Sequence, residues 1–256
     1  MDRYNPHRKA NLLYPLFILL FLSFVTPGLA QDNFSLYNLR CNNAENPLGI
    51  DATAPQFSWE FSANTRNFRQ TAYQVVVAES PEQLNTVEGH VWNSGIVRSG
   101  KSAGIVYQGT ALQSRKKYFW KVKVWTADNK EADSEVAHFE MGLLHQTDWS
   151  GDWVGFPSGW IGRVHYFRRV FSFGKEVVKA RAYVAGIGYY EMEVNGKKVG
   201  DYVLDPATSD FSKRVYYTTH DIKKYLNKEN VMVIAVAPGW YGMPKLKMQM
   251  EFVFSD

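Results

Sequence analysis

Paired cysteine is the first thing missing. Cys41 stands alone, so no disulfide can close within the chain and no two-cysteine zinc motif exists. Stability must come from burial of apolar surface, which domains of about a hundred residues can supply. A surplus of one charge is missing too. The 29 Lys and Arg face 25 Asp and Glu and form no basic stripe. A nucleic-acid partner, which needs a concentrated positive face, is not expected. Long helical periodicity is absent, and only residues 79–87 and 220–226 suit a short helix or turn. None of the six histidines (His7, His90, His138, His145, His165, His220) pairs with another at metal-ligand spacing. HExxH, GxSxG and P-loop strings are absent. Gly186-Ile187-Gly188 lacks the third glycine of a dinucleotide fingerprint, and no βαβ unit surrounds it. The reading therefore contains no cofactor.

Long apolar runs are scarce, and the one that exists lies near the start. Residues 2–9 are polar and carry Arg3, Arg8 and Lys9; residues 12–25 are almost wholly apolar; Thr26-Pro27-Gly28-Leu29-Ala30 closes the run with small residues. That order is the n-region, h-region and cleavage pattern of a secretory signal. A membrane span needs about 20 apolar residues, and Pro15 interrupts this run. Residues 1–30 are read as a signal peptide, giving an exported chain, periplasmic or extracellular, with no membrane attachment after cleavage. Cys41 lies well beyond the cleavage point, so lipid attachment is not suggested. Three basic residues and one acidic residue leave with the leader, and the remaining 226 residues hold 26 basic against 24 acidic, close to neutral.

What is abundant is aromatic. Phe, Trp and Tyr make up 15% of the chain, and such rings favour pleated, half-buried surfaces. The chain beyond the leader reads as two β-rich blocks, residues 31–145 and 146–256, joined near residues 143–155. In the first block, Gln56-Phe57-Ser58-Trp59-Glu60-Phe61 alternates polar and aromatic, and Thr71-Ala72-Tyr73-Gln74-Val75-Val76-Val77-Ala78 is a β-branched run. Tyr118, Trp120, Val122 and Val124 share one strand face and Lys121 and Lys123 the other, which places a strand with one buried face. Seven or so such strands imply a two-sheet sandwich of the fibronectin type III or immunoglobulin kind. In the second block, Tyr190, Met192 and Val194 oppose Tyr189, Glu191 and Glu193, and Asn195-Gly196 follows at once, a strong hairpin signal. Residues 166–173, 180–185, 214–218, 230–237 and 248–254 complete a jelly-roll sandwich that lacks its last strands. An open edge near residues 248–254 is expected, with a tendency to pair or aggregate.

The chemistry candidates are few. Glu191 and Glu193 form the obvious carboxylate pair, since glycoside hydrolysis uses two, but their strand face is the polar one and a solvated strand explains them. Asp201, Asp205 and Asp210 cluster in the loop GDYVLDPATSD, where oxygen-rich ligands could suit calcium. The spacing is not that of an EF-hand, and a turn with Asx caps explains the cluster. Trp240-Tyr241-Gly242 follows a strand and a Pro238-Gly239 turn. Its rings suit an interdomain or core role ahead of direct sugar stacking, and Trp240 and Tyr241 are the candidate carbohydrate-binding residues. No catalytic and no metal-ligating residue is assigned.

Several strings together resemble the opening of bacterial α-L-rhamnosidases of the glycoside hydrolase family 78 kind. They are Asn46-Pro47-Leu48-Gly49-Ile50-Asp51, Pro55-Gln56-Phe57-Ser58-Trp59, Gln70-Thr71-Ala72-Tyr73-Gln74, Val91-Trp92-Asn93-Ser94-Gly95, Tyr118-Phe119-Trp120-Lys121-Val122, Met141-Gly142-Leu143-Leu144 with Trp149, AYVAGIGYYEMEVNGKKVGD beginning at Ala182, Val203-Leu204-Asp205-Pro206 and Pro238-Gly239-Trp240-Tyr241. The resemblance covers residues 36–256. It implies an all-β chain: a fibronectin-like sandwich, then a galactose-binding-like jelly roll. In that family both precede an (α/α)₆ barrel that carries the catalytic acids and hydrolyses terminal α-L-rhamnose with inversion. No barrel follows here, so the resemblance implies a non-catalytic accessory part whose partner is that missing barrel or the product of a split gene. A free-standing module binding rhamnose-containing glycans is the alternative. Some relatives bind rhamnose through a calcium-assisted site on the sandwich, which leaves calcium open here.

Overall fold

The computed structural model describes residues 34–256 apart from residues 65, 67, 87, 129 and 157–161. The leader expected over residues 1–30 lies outside them. Seventeen strands account for the described chain, with three single-turn 3₁₀ segments at Glu82–Asn85, Gln146–Asp148 and Lys223–Tyr225. The all-β expectation holds. Among the described residues no helix is long and apolar enough to cross a membrane.

The first sandwich uses β1 (Phe34–Cys41), β2 (Leu48–Ile50), β3 (Gln56–Ala63), β4 (Gln70–Ala78), β5 (His90–Asn93), β6 (Ile105–Val106), β7 (Lys117–Thr126), β8 (Glu131–Asp133) and β9 (Ala137–Met141). One sheet runs β1-β3-β6 and faces a second, β2-β9-β7-β4-β5, in which β8 also pairs with β7. Strand β7 alternates as its sequence demands, and Tyr118, Trp120, Val122 and Val124 are all buried. They meet Phe57 and Trp59 of β3, Val75 and Val77 of β4, and Phe139 and Met141 of β9 in one core. Each such side chain contributes about 1.5–3 kcal/mol by leaving water. The buried Trp59 indole N–H donates to Gln70 Oε1 at 3.0 Å, and Gln70 in turn donates to the carbonyls of Ser99 and Lys101. That chain of bonds satisfies a polar group inside an aromatic core.

The second sandwich uses β10 (Val154–Gly155), β11 (His165–Ser172), β12 (Val177–Ile187), β13 (Tyr189–Val194), β14 (Lys197–Lys198), β15 (Tyr217–Asp221), β16 (Glu229–Ala237) and β17 (Lys245–Phe254). Its sheets run β10-β17-β12-β15 and β11-β16-β13-β14. Met192 and Val194 of β13, Met232, Ile234 and Val236 of β16, and Ala180, Ala182 and Val184 of β12 fill the space between them. The β13–β14 hairpin turns on Asn195 (φ 53°) and Gly196 (φ 72°), two successive positive φ angles of the kind this dipeptide tolerates. Strand β15 begins three residues later than the run at 214–218 suggested, because residues 210–214 are held in a turn by Asp210.

From Ala180 onward strand β12 has no wet face: Ala180, Ala182 and Val184 enter the second core, while Tyr183 and Ala185 on the other face are equally buried. That other face lies on the first sandwich. Glu140 of β9, 3% exposed, receives Arg181 Nε and Nη2 at 2.9 Å each and Lys179 Nζ at 3.0 Å. Arg115 bridges Asp148 and Glu251 at 3.1 and 2.6 Å. The Tyr217 hydroxyl accepts the Leu143 N–H at 2.7 Å. The backbones approach so closely here that a Cβ on Gly142 would stand 2.1 Å from that hydroxyl, and one on Gly49 2.2 Å from Thr219 Oγ1. Glycine at Gly49 also takes φ +79°, which a side chain would resist.

Candidate functional site

Two loops leave the second sandwich beside this joint, residues 199–216 between β14 and β15, and residues 238–244 between β16 and β17. The first is anchored from below. Tyr190 points into the core from β13, as its strand face requires, and a phenol placed there needs a polar partner. It finds Asp205 Oδ2 at 2.7 Å and His220 Nε2 at 2.7 Å. The Thr218 hydroxyl donates to Asp205 Oδ1 at 2.6 Å, and the Tyr190 N–H donates to the Asp205 carbonyl at 2.7 Å. A carboxylate only accepts, so the phenol proton goes to Asp205 and His220 Nε2–H donates to the phenol oxygen. Burial pushes the His220 imidazole below its usual range, against the opposing pull of Asp205. Burial also drives the Tyr190 phenol up, with the Asp205 bond adding to it. A neutral imidazole and a reluctant phenol in a closed interior pin the loop and offer no exposed base or nucleophile.

This network corrects the view of the acidic loop as simple turns. Asp210 does cap a turn, accepting the Ser212 N–H at 3.1 Å and pairing with Lys213 at 3.1 Å. Asp205 turns inward instead, and Asp201 stays exposed. The three carboxylates do not converge, so this loop does not fit calcium. Among the described residues no three His, Cys, Asp or Glu gather as a metal site. The sequence carried one usable signal for the network, a tyrosine on an inward strand face. The partner His220, thirty residues away, carried none.

Glu191 and Glu193 lie where alternation put them, exposed on the outer face of β13, with Glu191 paired to Lys198 at 2.8 Å. They face solvent, not a sugar-sized gap. Trp240 stands 92% exposed at the loop tip and is no part of the core. Tyr241 packs edge-on against Phe211 with ring centroids 5.7 Å apart, which ties the two loops together.

Phe211 also helps line a cleft of about 510 Å³ at the junction of the two sandwiches. Residues 143–146 with Trp149 and Trp153 of the connecting segment line one part, residues 211–215 with Tyr217 another, and Asp51, Ala185 and Lys247 complete it. Trp149 is set edge-on against Tyr217 at 5.5 Å, and Lys247 Nζ lies 5.2 Å over its ring. Burial pushes the Tyr217 phenol up to about 12, so it remains a neutral hydrogen-bonding group.

Comparison with known proteins bears on the pair of sandwiches. Residues 36–145 match the family described as "Rha78A-like, N-terminal immunoglobulin domain", and residues 175–252 match the "Alpha-L-rhamnosidase N-terminal domain". An α-L-rhamnosidase of Formosa agariphila is 37% identical over 237 residues, spanning 83% of this chain and 25% of that protein. One from Alteromonas sp. (strain LOR) is 33% identical over 237 residues, spanning 82% of this chain and 26% of that protein. Among solved structures, the α-L-rhamnosidase from Dictyoglumus thermophilum superposes with a TM-score of 0.78 at 36% identity, over 87% of this chain and 29% of that one. The Aspergillus terreus enzyme, at 23% identity and a TM-score of 0.71 over 88% of this chain and 29% of that one, shares the fold. The chain thus spans about a quarter of the length of the curated relatives it matches.

Proposed function

The chain carries the N-terminal domain pair of the α-L-rhamnosidase family, and from that membership we propose that it serves as the non-catalytic accessory part of an exported α-L-rhamnosidase. The observation that carries this reading is the joint between the sandwiches. Glu140, Arg181 and Lys179 lock the two modules through β12, so the pair is suited to act as one rigid bracket. A bracket of this kind holds a catalytic partner in register and excludes water from the surface it covers. In the proposal that partner is an (α/α)₆ barrel hydrolysing terminal α-L-rhamnose, supplied by a longer chain or a separate gene product. The placement of Glu191 and Glu193 on a solvated strand face supports assigning hydrolysis to the partner. Purified chain assayed on an aryl α-L-rhamnoside is expected to release no aglycone above the buffer rate. Turnover that scales with the chain's concentration and survives repurification overturns the assignment.

One observation favours a second reading, a module that binds rhamnose-containing glycans by itself. The Trp240 ring stands in solvent beside Tyr241, as a stacking platform would. Calorimetry with L-rhamnose, with and without calcium, separates the readings. Saturable heat lost in Trp240→Ala supports the module, and no heat at millimolar sugar in either buffer removes it.

A further inference from the structure

The cleft at the sandwich junction is used by neither reading. At about 510 Å³ it falls within the range of small-ligand sites. Its walls are aromatic and cationic. Trp153 is part-exposed on the lining, and Trp149 is fixed by Tyr217 behind it. Three cations line it: Lys213, Arg214 and Lys247. Lys213 is already paired with Asp210. The side chains of Arg214 and Lys247 make ring contacts, with Tyr216 and Trp149 respectively, and have no carboxylate partner among the described residues. Asp51 is the single carboxylate on the lining. The walls come from both sandwiches and from the Tyr190–Asp205 anchored loop, so the buried joint preorganises them.

A neutral sugar would use the indole faces and the hydrogen bonds but leave two cations unanswered. A sugar with a carboxylate or sulfate group would use all of them, through charge-assisted bonds about twice as strong as neutral ones. Arg214 offers a planar fork suited to two anionic oxygens, and Lys247 a point charge. We propose that this cleft binds an acidic sugar, its ring against Trp153 and its anionic group between Arg214 and Lys247. The proposal goes beyond the accessory role and does not depend on it.

The test titrates the purified chain with a glucuronate disaccharide, a sulfated monosaccharide and a neutral glucose disaccharide, read by tryptophan fluorescence and calorimetry. Saturable millimolar binding of an acidic sugar, at least about tenfold weaker for the neutral one, is expected. Arg214→Ala and Lys247→Ala should each weaken it about tenfold, salt at about 0.5 M should weaken it further, and Lys198→Ala, a cation outside the lining, should leave it unchanged. Arg214→Lys keeps the charge without the fork and should fall between. The two acidic ligands decide between carboxylate and sulfate. Absence of saturation by either up to about 20 mM, equal affinity for the neutral sugar, or undiminished binding in both alanine variants overturns the proposal. A chain that fails here but still yields no aryl-rhamnoside turnover keeps its accessory role, so the two readings fail separately.

Discussion

Glu140→Gln tests the joint directly. The carboxylate is 3% exposed, and three donor atoms of Arg181 and Lys179 converge on it at 2.9–3.0 Å. The amide keeps the shape, removes the charge and turns an NH₂ toward two cations. Breaking a buried ion pair from one side costs about 3–5 kcal/mol, because the other charge stays buried without its partner. Arg181 retains Asp221 at 2.9 Å and the Ala180 carbonyl at 3.0 Å, and Lys179 is one-third exposed, so the low end applies. A loss of about 3 kcal/mol corresponds to a Tm about 6–12 °C lower for a chain of this size. Calorimetry should show it, with the unfolding transition broadening or splitting as the sandwiches uncouple. Glu131→Gln is the control. Its pair with Lys123 at 2.6 Å lies at the surface, where solvent screens the attraction, and its loss should barely move the Tm. A Glu140→Gln protein within about 2 °C of the parent, or no worse than the control, refutes the idea that this cluster locks the modules. Glu140→Met with Arg181→Met should recover part of the loss, since apolar packing often replaces a buried pair.

Other outcomes follow from single contacts. Gly142→Ala puts a methyl 2.1 Å from the Tyr217 hydroxyl and should lower the urea midpoint by an amount worth about 1–3 kcal/mol; Tyr217→Phe in the same chain should restore part of it. His220 is held neutral with its pKa below 6.5, so the unfolded chain binds the extra proton first. Its stabilising contribution is present above pH 6.5 and drains away as pH falls from there toward the lowered folded value. Urea midpoints measured from neutral to mildly acidic pH should decline across that window, and His220→Gln should flatten the decline. An unchanged slope would count against the Tyr190–His220 contact as a pH-linked element. Burial lifts the Cys41 thiol to about 12, so a disulfide reagent at mildly alkaline pH should label it only at the rate the first sandwich opens. Immediate labelling of folded protein would contradict that burial.

Much of the fold was legible because half-buried strands write their period into the sequence. Tyr118, Trp120, Val122 and Val124, and again Tyr190, Met192 and Val194, were placed on inward faces by alternation and are buried there. Asn195-Gly196 marked its hairpin through backbone conformation alone. The unforeseen strands are those with no period to show. Strands β2, β8 and β10 have two or three residues each and exist through pairing with longer neighbours. Strand β1 carries irregular register between Tyr37 and Arg40, which blurs its alternation. The candidate sites were less legible for a related reason. Strand β12 looked like an ordinary buried run, and its double burial depends on a surface more than forty residues away. The acidic loop showed its carboxylates but not their directions. Asp205 and Asp210 are five apart in one string, yet one is sequestered under Tyr190 and the other caps a surface turn. The cleft draws on residues from Asp51 to Lys247 and no local pattern could announce it.

Because β12 is covered on both sides, the second sandwich is a poor candidate for transplantation. A fusion or crystallisation fragment cut at the start of residues 149–256 would bare Tyr183, Ala185 and Tyr217 and strand the Arg181 guanidinium without Glu140. Such a fragment should be sticky in solution, and one that keeps β1 through β9 should be well behaved. Engineers wanting this jelly roll as a portable tag are better served by carrying its upstream companion along.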